Sequence, residues 1–99
     1  MARTNPLIRR EISECGVLIV NYLREHVPQL YWLRVIDTLL EMYRGRVRPN
    51  PEQGEPEHPA LAYHIGRIIE YLDGTPMTNA QIIWLLERIR SALLEAWGF

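Results

Sequence analysis

Apolar positions recur every three or four residues in four stretches of the chain, the spacing that places side chains on one face of an α-helix. In the first stretch Ile8, Ile12, Cys15, Ile19, Tyr22 and Leu23 share a stripe. Asn5 precedes it as a good N-cap. Pro6 suits the first helical position, where a backbone N–H would have no partner to lose. Pro28 ends this helix and opens the next, whose stripe is Trp32, Leu33, Ile36, Leu39, Leu40 and Tyr43, with Gly45 at the place of a C′ glycine. A third stripe, Leu61, Ile65, Ile68, Ile69 and Leu72, follows Pro59 and closes at Gly74. The fourth begins at Thr78, with Gln81 three residues on in capping-box spacing, and carries Ile82, Leu85, Leu86, Ile89, Leu93 and Trp97. The pattern predicts helices over about 6–26, 28–44, 59–73 and 79–97.

Between the second and third helices, residues 45–58 hold three prolines and two glycines, which exclude helix or central strand and predict a flexible loop. The other connections are short, and short turns make antiparallel neighbours. The expected architecture is therefore all-α: a single domain over 1–99, a four-helix bundle of two antiparallel helical hairpins joined by a Pro/Gly-rich loop. Gly16 and Gly66 fall inside helices, where glycine costs about 1 kcal/mol relative to alanine. The expected reason is close backbone approach at a helix crossing.

The pentapeptide Gln29-Leu-Tyr-Trp-Leu33 returns as Gln81-Ile-Ile-Trp-Leu85, 52 positions later. Other echoes have different offsets: Val20-Asn-Tyr-Leu23 returns at Ile69-Glu-Tyr-Leu72 after 49, and Leu39-Leu-Glu41 at Leu93-Leu-Glu95 after 54. The two-residue slip between 52 and 54 turns a helix by about 200°, so the two copies cannot present the same faces. Similar needs met by two hairpins explain the echoes better than duplication. The same rotation places Trp32 on the core stripe. It places Trp84 on a polar row with Arg88, Ser91 and Glu95. Tyr63 shares a row with Arg67, and Tyr31 with Arg34. Aromatic residues on polar faces mark interaction surfaces, so Trp84, Arg88, Tyr63, Arg67, Tyr31 and Arg34 are candidate partner-binding residues.

Composition adds exclusions. Apolar residues make up 47% of the 99, and the formal net charge is −1, too nearly balanced for a dedicated polyanion binder. A single cysteine, Cys15, allows no internal disulfide, and its place on an apolar stripe argues against a nucleophile. His26, His58 and His64 match no zinc-ligand spacing. His26 reads as a favourable charge at a helix C-terminus. No apolar run approaches the roughly 20 residues of a membrane span, and no segment resembles a signal peptide. The expected protein is intracellular, cytosolic or nuclear, not secreted, without metal or cofactor and not an enzyme.

All eleven cationic residues are arginine. Three readings fit a lysine-free chain: a GC-rich genome, avoidance of ubiquitination, and bidentate pairing with carboxylates across helices. Arg44, Arg46 and Arg48 form an alternating basic patch, followed at once by Glu52, Glu55 and Glu57. They are the candidate anion or nucleic-acid contacts. The functional expectation is a protein–protein interaction module, homodimeric, of regulatory, adaptor or viral accessory type. The alternative is an arginine-mediated binder of duplex RNA or DNA.

Overall fold

The computed structural model describes residues 6–45 and 60–97, with side chains for 14–45 and 60–96. These residues form four α-helices: α1 Pro6–His26, α2 Trp32–Tyr43, α3 Leu61–Asp73 and α4 Asn79–Trp97. One turn of 3-10 helix, Gln29–Tyr31, leads into α2. No strand occurs among the described residues. The loop expected over 45–58 lies, apart from Gly45, outside the described residues.

Local signals fixed the helix ends. Gly45 has φ of 73°, the left-handed conformation that a residue without Cβ adopts freely, and its N–H bonds back to Met42 O at 2.9 Å. At the start of α4 the capping box is formed in both directions. Thr78 N–H donates to Gln81 Oε1 at 2.9 Å, and Gln81 N–H donates to Thr78 Oγ1 at 3.2 Å. His26 Nδ1–H donates to Tyr22 O at 3.0 Å in the last turn of α1.

One buried cluster draws on all four helices, with Leu23, Ile36, Leu39, Leu72 and Leu86 fully enclosed. The most extensive helix contacts are α2 with α4, then α1 with α4 and α2 with α3. Arginine pairing reinforces the first of these. Arg44 Nη2 meets Glu87 Oε1 at 2.9 Å, and Arg90 Nε meets Asp37 Oδ1 at 2.6 Å. Exposed pairs of this kind contribute about 0–1 kcal/mol each, so they fix register more than stability. Helix α3 is tied to α2 by Tyr43 Oη–H donating to Asp73 Oδ1 at 2.9 Å.

Three expectations need correction. Tyr31 is buried within the core cluster rather than on an outer face with Arg34. Tyr31 ends a 3-10 turn and serves as the N-cap of α2, so the register of α2 does not extend to it; Leu30 is the residue left outside, 74% exposed. Gly66 is not at a crossing, because a Cβ built there meets nothing within 4 Å. Gly16 is at one: its Cβ would stand 3.1 Å from Leu85 Cδ1 of α4. Finally, α2 begins at Trp32, after the 3-10 turn, rather than at Pro28.

Candidate docking face

The unbroken apolar run Cys15-Gly-Val-Leu-Ile-Val20 cannot bury all its members, because one helix has one inward stripe. Cys15 and Ile19 point inward, leaving Val17 at 58% and Leu18 at 53% exposed. Each then meets a neighbour from another helix. On one side Val17 lines an open groove of about 640 Å³ between α1 and α4. Gly16, Ala92 and Ala96 also line it, so small side chains leave it wide. Trp84 forms part of its wall and is itself 48% exposed. On the other side Leu18 lines a smaller hollow of about 230 Å³ with Tyr71, Pro76 and Met77. Tyr71 is 39% exposed. Trp84 with Val17 on one side of α1, and Leu18 with Tyr71 on the other, thus make a divided apolar strip.

Charge frames this strip unevenly. Arg24 and Arg88 line the groove, and among the described residues no carboxylate does. The Arg88 guanidinium carbon lies 5.6 Å from the centre of the Trp84 ring, an exposed cation–π contact worth about 0.5–1 kcal/mol. Glu14 lines the hollow on the Leu18 side.

The sequence-predicted residues are only partly brought together. Trp84 and Arg88 share the groove. Tyr63 is 64% exposed on α3, beside Arg67, which pairs with Glu70 at 3.3 Å. Arg34 is exposed on α2, away from the groove lining. Of the basic trio, Arg44 is occupied by Glu87, while Arg46 and Arg48 lie outside the described residues. Val17, Leu18 and Tyr71 were missed. For the first two the signal was present, an apolar run too long for one stripe.

A second convergence was not visible in the sequence. Tyr22 stacks on His26 with ring centroids 4.3 Å apart, and its hydroxyl hydrogen-bonds His64 Nδ1 at 2.8 Å. His26 and His64, 38 positions apart in the chain, thereby come to 5.8 Å between ring centroids. Among the described residues no group of three or more His, Cys, Asp or Glu could hold a metal ion. None of the described helices is long and apolar enough to cross a membrane.

Four groups in or near the strip and core favour their neutral forms, Tyr22 among them, raised chiefly by burial. Burial raises the Cys15 thiol, opposed in part by its hydrogen bond with Tyr71. Burial and then the bond with Cys15 push Tyr71 up to about 12. Tyr43 is raised further, by burial and then by its bond to Asp73. A raised thiol is a poor nucleophile. A group whose folded value lies above its unfolded one adds stability that is complete below the unfolded value and lost as pH rises through the folded one. The ordinary values are 9.0 for the thiol and 10.0 for the phenols. These groups should therefore make thermal stability fall progressively from about pH 9 to 12. A Tyr43→Phe variant should show a shallower fall; a profile identical to the parent's would remove Tyr43 from this account.

No protein-family model, curated protein or solved structure matches the chain.

Proposed function

We propose that the protein is a non-enzymatic protein–protein interaction module, built on two antiparallel helical hairpins, that self-associates as a homodimer through the outer side of α1 and its groove with α4. A regulatory, adaptor or viral accessory role in the cytosol or nucleus is the setting this reading implies. The observation that carries it is the apolar strip Trp84, Val17, Leu18 and Tyr71, each between 39% and 58% exposed. Scattered surface apolar residues need no explanation, but two exposed apolar pairs flanking one helix, one of them in a groove, do. Trp and Tyr are the side chains most enriched at binding hot spots. The nucleic-acid reading has weaker support, because Arg44 is already paired with Glu87 and the net charge is −1.

Light scattering over a concentration series, at low and high salt, tests the proposal. The expected result is a dimer that persists in high salt, since apolar burial is not screened. Trp84→Ala and Leu18→Asp should each raise the dissociation constant about tenfold or more without loss of helicity. A parent that stays monomeric, or a dimer indifferent to both substitutions, would overturn it.

A further inference from the structure

The charges that line the groove between α1 and α4 are of one sign. On α4, Trp84, Arg88, Ala92 and Ala96 recur every four residues and line it as one row, while Arg24 lines it from α1. Arg44, Arg67 and Arg90 each meet a carboxylate, whereas Arg24 and Arg88 form no ion pair among the described residues. The acidic neighbours do not answer them. Glu87 is held by Arg44, and Glu25 and Glu95 are exposed outside the groove lining. The rest of the lining is mainly apolar, with Val17, Ile89 and Leu93 among it.

Charge and shape together select an occupant. An extended segment laid on an apolar lining leaves its backbone N–H and C=O groups unpaired, whereas a helix pairs its own. The row from Trp84 to Ala96 spans about 18 Å of helix, enough to meet the spaced anchors of a docked helix. Small side chains at Ala92 and Ala96 let such a helix approach closely. We propose that the α1–α4 groove docks an amphipathic helix of another protein, its apolar stripe seated on Val17, Trp84 and Ile89 and its flanking carboxylates set against Arg24 and Arg88. The apolar lining gives affinity, and the two arginines select an acidic partner over a basic one. This groove belongs to the face proposed above for self-association, so the acidic helix competes with the second copy. Only the competition rests on that reading; the docking stands on the groove itself.

Fluorescence anisotropy tests the docking with a labelled helical peptide of about 15 residues, leucines along one face and glutamates beside them, and with a twin carrying lysine for glutamate. The glutamate peptide should bind the parent at least about tenfold more tightly than the lysine peptide. Arg24→Glu and Arg88→Glu lie at exposed positions, and circular dichroism checks that the helices persist. Each should weaken the glutamate peptide about fivefold, and the double variant should reverse the preference and take the lysine peptide. Equal binding of the two peptides, or no binding of either, would overturn the docking. So would a parent that ignores both peptides yet binds phosphatidylglycerol vesicles, since the groove then faces lipid. Light scattering reads the second copy separately. Saturating glutamate peptide should turn a parent dimer into monomers. A dimer that persists with peptide bound would overturn the competition alone. A parent that is monomeric without peptide would overturn the self-association, and the docking would still be decided by anisotropy.

Discussion

Replacing Trp32 with alanine is expected to cost about 3–5 kcal/mol of stability, whereas the same change at Trp84 costs about 1 kcal/mol. The two residues occupy the same place in a repeated pentapeptide, so the contrast isolates environment from sequence. Trp32 is 8% exposed and packs in the core cluster. Its indole Nε1–H donates to Val27 O at 2.9 Å, tying the start of α2 to the end of α1 across the Pro28 turn. Truncation removes a large buried ring, leaves a cavity, and deprives a carbonyl at a helix end of its donor. A domain of this size is stable by about 5–15 kcal/mol, and each kcal/mol shifts the melting temperature by about 4–8 °C. Trp32→Ala should therefore melt at least about 12 °C below the parent. Trp32→Phe keeps most of the ring volume and should recover much of that loss. Trp84, half exposed against Arg88, leaves no enclosed void when shortened. Equal melting losses for the two alanine variants would show that the assignment of one to the core and one to the surface is mistaken.

What the chain declared about itself in advance was mostly local. The stripes at threes and fours, Pro28 between two helices, Gly45 in a left-handed turn and the Thr78–Gln81 box all act within a few residues, and each appears as expected, with Ile8, Ile12 and Trp97 of the stripes outside the described side chains. The separation of Trp32 from Trp84 was also legible, because it follows from the geometry of a helix alone. The errors arose where local register changes or where distant segments decide. Tyr31 lies in a 3-10 turn ahead of α2, where the register of α2 no longer applies, and there Tyr31 is buried and Leu30 exposed. No rule of spacing foretells that Leu18 and Tyr71 line one hollow, or that Tyr22 brings His26 to His64; those arrangements exist only once α1 and α3 are packed. The apolar strip was half legible for the same reason. Its α1 part is written in the run from Cys15 to Val20, and its neighbours are supplied by tertiary structure. The lysine-free composition gains a physical use in the two arginine pairs between α2 and α4. That use does not by itself require the absence of lysine.

The interior glycines offer the sharper test of helix packing. Gly16→Leu should lower stability by about 1–2 kcal/mol, while Gly66→Leu should leave it unchanged or raise it by up to about 1 kcal/mol. Both substitutions relieve the same backbone cost, since glycine in a helix interior is worse than leucine by nearly 1 kcal/mol. They differ in what the new side chain meets. At Gly16 even a Cβ would come to 3.1 Å from Leu85 Cδ1 and 3.9 Å from Ile89 Cδ1, so a full leucine must push α1 away from α4 or force both side chains from their rotamers. Overpacking of this kind costs about 1–3 kcal/mol, more than the helical gain returns. At Gly66 the space is open, with nothing within 4 Å of a Cβ. The two variants should thus differ by about 4 °C or more in melting temperature. Because Gly16 also lines the groove beside Val17 and Trp84, Gly16→Leu should weaken self-association as well, and Gly66→Leu should not. If the two variants melt together, the close approach of α1 to α4 at Gly16 is not what holds these helices in place, and the groove between them loses its structural basis.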